Sequence, residues 1–159
     1  MSGKKGSRYE RELVNRFESV GWGALRCPSS GGGTDRQLPD VLAGKSVSRV
    51  PQWVEHDSGI IDPEVVETFT DSYAIELKSG KSTTLYVDRE EVKSLKSFAQ
   101  SFGATPLLGA RFTTQASSTD VYLVKPEDAR MTEKAYGLPI SDIEDRAYMR
   151  VTKDSIELI

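Results

Sequence analysis

Tyr73-Ala74-Ile75-Glu76-Leu77-Lys78 is the stretch that decides the fold. An apolar run passes directly into an acid, a leucine and a lysine. In a strand, successive side chains point to opposite faces, so Glu76 and Lys78 share one face while Leu77 points into the core. One surface then holds a carboxylate beside an ammonium. That pairing suits hydrolysis of a phosphodiester: hard oxygen ligands hold a divalent cation, and a positive group orients the attacking water or offsets charge on the phosphate. The same triplet is also common on exposed strands as a cross-strand ion pair, so its neighbours must decide.

Upstream, Pro39-Asp40 opens the apolar run Val41-Leu42-Ala43, which closes on Gly44. Proline cannot donate to a sheet ladder, so Pro39 reads as the entry to a strand and Asp40 sits at its mouth. A turn-capping aspartate is the alternative. Two adjacent strands can thus aim two carboxylates at a single ion. The third carboxylate comes from an opening helix predicted from Ser7 to Val20, with Ser7 as N-cap and Gly21 as its end. Glu10 lies at i, i+3, i+4 and i+7 with Leu13, Val14 and Phe17, and so faces inward. Glu12, about 200° around the helix, falls on the polar side with Arg16 and Ser19. A carboxylate on a buried face needs a partner. For Glu10 that partner is either a cation or, through a capping box, the start of the helix at Ser7.

Arg8 and Arg11 leave the polar flank of this helix, and Arg26 follows a short strand predicted over Trp22 to Leu25. Guanidinium forks match phosphate oxygens bidentately, so arginines around a carboxylate site suit a polyanionic substrate. Solvated surface charge is the other reading for each. Ser29-Ser30-Gly31-Gly32-Gly33-Thr34 is small and polar, and its glycines allow close backbone approach to a ligand. No Gly-Lys-Ser/Thr follows, which excludes a nucleotide-binding P-loop and leaves a phosphate-contacting loop or a plain linker.

The net charge of −3 is unevenly spread. Residues 1 to 50 hold nine Lys/Arg against five Asp/Glu, a balance of +4, and the remainder carries −7. The basic half includes Lys4 and Lys5, expected on an unstructured N-terminal arm where they add phosphate contacts. The single cysteine, Cys27, excludes an internal disulfide and a cysteine-based zinc site. With no apolar stretch near the roughly 18 residues of a membrane span and no signal-peptide pattern, the expectation is a cytoplasmic protein without a membrane partner. Neither repeats nor a composition shift breaks the 159 residues, so 1–159 is expected to form a single domain.

Later segments read as scaffold. Asp88 caps a predicted helix to about Phe102, with Val92, Leu95, Ala99 and Phe102 as its inward stripe, Glu91 completing a capping box and Gly103 stopping it. Pro106 to Phe112 and Asp120 to Val124 read as strands, and Tyr148 to Val151 as a closing strand. Strands interleaved with two helices predict an α/β sandwich with a mixed sheet. Arg111 is read as a strand-end arginine, solvated or bound to phosphate.

Lys5-Gly6-Ser7 through Tyr9-Glu10-Arg11-Glu12-Leu13-Val14, Gly21-Trp22 to Arg26, Ser29-Ser30-Gly31, Pro39-Asp40-Val41-Leu42-Ala43-Gly44, Ala74-Ile75-Glu76-Leu77-Lys78-Ser79, and Phe98 to Gly103 before Ala110-Arg111-Phe112 follow one another along the chain. Together they resemble the archaeal Holliday junction resolvases of the PD-(D/E)xK superfamily, from about residue 4 to 130. The resemblance implies a restriction-endonuclease-like α/β sandwich, a central mixed β-sheet flanked by helices. It implies an endonuclease that resolves four-way DNA junctions by paired nicks on opposed strands, without a nucleotide cofactor. Glu10, Asp40 and Glu76 would bind Mg²⁺, with Mn²⁺ as a substitute, and Lys78 would assist the attack. Ser30 would lie close to the scissile phosphate, and Arg11 and Arg26 would contact the DNA backbone near the cut.

A four-way junction has approximate two-fold symmetry, and one site per chain makes one nick, so a homodimer is the simplest machine. The chain departs from the family between Gly44 and Tyr73, where a tight hairpin is usual. Residues 45–71 therefore read as an insertion, either a longer hairpin or an added arm anchored by Trp53 and Val54. His56, the only histidine, lies inside it, which argues against a catalytic or zinc role. Two alternatives stand beside the resolvase: a nuclease of this fold on another DNA, of restriction or single-strand type, and a non-catalytic DNA-binding scaffold. An intact Glu10, Asp40, Glu76 and Lys78 argues against the scaffold. The lack of a separate base-reading domain favours recognition by shape.

Overall fold

The first helix, α1 (Gly3–Ser19), begins before Ser7. Ser7 is therefore not its N-cap, and the capping reading of Glu10 fails. The Ser7 carbonyl instead accepts the Arg11 Nε–H at 3.1 Å. Lys4 and Lys5, expected on an unstructured arm, have helical backbone. The helix stops at Gly21, whose φ of +83° is the left-handed conformation that glycine adopts most cheaply. These features come from a computed structural model that describes residues 3–28, 38–49, 67–114 and 119–159, without the side chains of 3–6, 48–49 and 67–69.

Strand β1 (Gly23–Arg26) follows, then β2 (Val41–Arg49), β3 (Glu67–Gly80), β4 (Thr84–Asp88), α2 (Arg89–Phe102), β5 (Thr105–Phe112) and β6 (Val121–Val124). The chain closes with β7 (Arg130–Met131), β8 (Ala135–Pro139), a 3₁₀ turn Ile140–Asp142, α3 (Ile143–Arg146), β9 (Met149–Val151) and β10 (Ile156–Leu158). The main sheet runs β1-β2-β3-β5-β6-β9-β10, and a small one runs β4-β8-β7. Among the described strands only β3 and β5 pair in parallel, so the main sheet is mixed, as expected. The small sheet, β10 and α3 were not anticipated. Lys45 to Arg49 pair with Asp71 to Glu67 and continue the β2–β3 ladder. Residues 50–66, with Trp53, Val54 and His56, lie outside the described residues.

The alternation of β3 divides the core. Tyr73 and Ile75 pack with Val41, Ala43, Leu107, Leu123, Met149 and Val151 against Leu13 and Phe17 of α1. Ala74 packs on the other side with Leu108, Ala110, Leu85 and Val87 against Val92, Leu95 and Ala99 of α2. The sheet is thus sandwiched between the two helices. Phe17 is fully buried, and its truncation to alanine would cost about 3–5 kcal/mol.

Three expectations about side-chain direction are corrected. Phe102 does not complete the inward stripe of α2: it is 57 % exposed and stacks on Phe98 at 5.5 Å. At the last turn the helix has run past the sheet. Arg16, expected on the polar side, is buried, and its Nη1 donates to the carbonyls of Thr119 at 2.7 Å and Val151 at 3.3 Å. Arg111 is neither solvated nor free for phosphate. It is buried, its guanidinium lies 4.3 Å from the centre of the Tyr9 ring, and its Nη1 forms an ion pair with Glu12 Oε2 at 2.7 Å.

Candidate active site

Strand β3 carries the chemistry because its neighbours hold it in register. Leu77 turns toward the α1 face and Glu76 and Lys78 toward the α2 face, as alternation requires. Leu77 pairs with Gly109 of β5, where a Cβ would sit 2.9 Å from Leu77 Cδ1 and 3.3 Å from Leu123 Cδ2. The absence of a side chain at 109 lets Leu77 lie flat and keeps the strand between the two charges undisplaced.

Lys78 Nζ donates to Glu76 Oε1 at 3.0 Å and to Glu91 Oε1 at 2.8 Å. Glu91 stands at the third position of α2, and its Oε2 accepts the Asp88 backbone N–H at 3.0 Å. The sequence marked Glu91 only as a cap; what it did not reveal is that α2 starts beside the far end of β3. Asp40 Oδ2 accepts the Leu77 backbone N–H at 2.8 Å, and the Asp40 N–H donates to the Ile75 carbonyl at 2.9 Å. The aspartate therefore sits at the mouth of β2, fixed to β3 on both sides of Glu76.

Burial, and then the charge of Asp40, push the Glu76 carboxyl up to about 7. Asp40 is raised as well, by burial first, with Glu10 and Glu91 adding to it while the Leu77 N–H and Lys78 oppose it. Burial alone would depress Lys78, but Glu91 and Glu76 outweigh it and hold the ammonium above the ordinary lysine value.

Glu10 reaches the site from the α1 side. Its Oε2 accepts Arg26 Nε at 2.5 Å, and the Glu10 side chain is 16 % exposed. Arg26 pairs with Val41 across β1–β2 and so lies on the α1 face, where Glu10 meets it. Arg8 and Arg11 are exposed on α1. Lys4 and Lys5 are placed by backbone alone, and Ser30 lies outside the described residues.

Asp40, Glu76, Lys78 and Glu91 are thus brought into one cluster, with Glu10 and Arg26 at its edge. Among the described residues, no three acid, histidine or cysteine side chains converge into a ready-made metal cage. Each carboxylate is instead held by a protein donor. Among the described residues, four carboxylates face only Lys78 and Arg26, a shortfall of two positive charges that one divalent cation would make up. All the donors are carboxylate oxygens, which fit a hard cation.

A mixed sheet between two helices, with an acid-x-lysine strand and an aspartate at the neighbouring strand's mouth, defines the class as a nuclease domain of the PD-(D/E)xK kind. Comparison with known proteins agrees. The family model described as "Archaeal holliday junction resolvase (hjc)" matches residues 1–52 and 60–151. The crossover junction endodeoxyribonuclease Hjc of Sulfolobus acidocaldarius is 31% identical over 146 residues, covering 91% of this chain and 81% of that one. Its namesake from Sulfurisphaera tokodaii is 25% identical over 142 residues, covering 88% and 79%. Among solved structures, Archaeoglobus fulgidus Hjc, a Holliday junction resolvase, superimposes with a TM-score of 0.61 at 23% identity, over 86% of this chain and 90% of that one. The chain belongs to the archaeal Holliday junction resolvase family.

Proposed function

We propose that this protein is a structure-selective endodeoxyribonuclease that resolves four-way DNA junctions by metal-dependent phosphodiester hydrolysis, with paired nicks on opposed strands. The observation that carries the reading is the Glu76–Lys78 pair beside Asp40, in a chain that matches the resolvase family over nearly its whole length. Glu76, Asp40 and Glu10 are the residues that would hold the cation, for which Mg²⁺ is the natural choice and Mn²⁺ a substitute. When bound, such a cation supplies Lewis-acid polarisation of the phosphate and offsets its developing charge. Lys78 orients the attacking water or stabilises the phosphate's added charge, at a position set by two carboxylates.

Arg26, Arg11 and Arg8 would hold the DNA backbone beside the carboxylates, with Lys4 and Lys5 extending that contact and Ser30 approaching the scissile phosphate. Two such sites are needed to cut opposed strands, so the working unit would be a homodimer. The 45–71 segment would be an insertion within a single 1–159 domain. The enzyme would act in the cytoplasm, with its DNA. Among the described residues, no helix is long and apolar enough to cross a membrane.

The test is cleavage of a labelled four-way junction beside linear duplex and single-stranded DNA, with and without Mg²⁺. Symmetric paired nicks on the junction alone, lost with chelator, are expected. Equal cutting of linear DNA would overturn the substrate, and binding without cutting would leave a DNA-binding scaffold.

A further inference from the structure

We infer that Glu91 is a positioning residue for Lys78, one that keeps the ammonium at the site when Glu76 turns to its cation. The inference rests on the proposed nuclease reading. Lys78 has two partners, Glu76 Oε1 at 3.0 Å and Glu91 Oε1 at 2.8 Å. Only the first belongs to the carboxylates that would hold a metal. Once Glu76 gives its oxygens to a cation, a lysine with no other anchor is free along a flexible four-carbon stem. Beside a new divalent charge it is also repelled.

Glu91 answers both difficulties, because its other oxygen is already committed. Oε2 accepts the Asp88 N–H at 3.0 Å, closing the capping box of α2. The carboxylate is thereby locked to a helix whose buried stripe, Val92, Leu95 and Ala99, packs on the sheet. An acid in the first helical turn is further favoured by the positive end of the helix. The cap and the clamp are one side chain, and the lysine inherits the rigidity of α2.

The test compares wild type, Glu91→Ala, Glu91→Gln and Asp88→Ala for kcat at saturating DNA, for DNA affinity in Ca²⁺, and for Tm. Loss of an outer partner typically costs about 10- to 100-fold. Glu91→Ala should lose that much kcat while DNA affinity stays within about twofold. Glu91→Gln, which keeps an acceptor oxygen without the charge, should fall between. Asp88→Ala also damages the capping box but spares the lysine contact, so it should lower Tm while leaving kcat near wild type. Should Glu91→Ala fold poorly, Glu91→Gln carries the same comparison. Wild-type kcat in both Glu91 variants, or an equal fall in Asp88→Ala at equal Tm, would overturn the assignment. All arms use whichever DNA the wild type cuts best. A failed junction reading therefore shows in wild-type substrate preference, and a failed Glu91 assignment in the ratio of variant to wild type. A wild type that cuts no DNA overturns both.

Discussion

Glu10 and Glu12, two residues apart on helix α1, live in opposite surroundings. Glu12 sits between Arg16 at 2.5 Å and Arg111 at 2.7 Å, the latter stacked on the Tyr9 ring. One acid faces two arginines there, and the carbonyls of Thr119 and Val151 accept Arg16 Nη1. Burial works against the charge, but Arg111 and Arg16 outweigh it and hold the Glu12 carboxyl below the usual range. Glu10, on the same helix, edges a cluster in which acids outnumber bases and Glu76 is pushed up to about 7. In the first cluster bases outnumber the acid, and the carboxylate is stabilised. The second carries an excess of carboxylates, which a bound cation would offset, as perturbed clusters at working sites often require.

The largest expected break in this contrast is Glu76→Gln. Cleavage should fall by far more than the roughly 10- to 100-fold typical of an outer partner. Tm without metal should hold or rise, since an uncompensated acid is removed. Glu12→Gln should do the reverse: it leaves two buried guanidiniums short of charge. With Glu12 itself 31 % exposed, the loss should be about 2–3 kcal/mol, below the roughly 3–5 kcal/mol of a fully buried pair. That is a Tm lower by about 4–12 °C for a chain of this size, with activity per folded molecule unchanged. Loss of cleavage in Glu12→Gln at intact Tm would end the distinction.

The next effect is on pH dependence. Folded Glu76 keeps its proton to about 7, whereas an ordinary glutamate loses it near 4.5. Between those values the folded state binds the extra proton, so stability without divalent cation should fall as pH rises from about 4.5 to about 7. The slope is at most roughly 1.4 kcal/mol per pH unit. Urea unfolding at several pH values should show this slope with chelator and a flatter one with Mg²⁺ or in Glu76→Gln. The same slope in Glu76→Gln would assign it elsewhere. The smallest effect belongs to Asp120→Asn, which breaks the part-exposed Arg150 pair at 2.6 Å and should cost about 1 kcal/mol or less by the same assay.

What the sequence disclosed follows the range of the forces involved. Period-2 alternation put Leu77 on one face and Glu76 with Lys78 on the other, and the structure keeps that arrangement. The capping box and Gly103 bounded α2 because those signals are local. The start of α1 was misjudged, since a serine followed by a glutamate three residues on looks the same at an N-cap and inside a helix. Arg16 and Arg111 were read as surface charge, because their partners lie on strands far along the chain. Glu91 was visible as a cap but not as a neighbour of Lys78, for the same reason. The small sheet of β4, β8 and β7 escaped notice because its strands are short and one is a mere two residues. Phe102 fits the helical stripe by spacing, but periodicity carries no record of where the sheet beneath it ends.

The contacts of Arg16 also bear on the order in which the chain assembles. Its acceptors, Thr119 and Val151, lie 103 and 135 residues downstream. During synthesis α1 emerges well before β9, yet its inward arginine finds its second carbonyl only when β9 has been made. Contacts of such long separation slow folding, because a large loop must close before they form. A nascent chain ending before Met149 would therefore offer α1 the strands that carry Val41, Tyr73 and Ile75, but not the edge that holds Arg16. The apolar face of Leu13 and Phe17 and the Glu10–Arg26 pair have early partners, whereas the arginine's anchorage closes only as β9 joins the sheet beside β6.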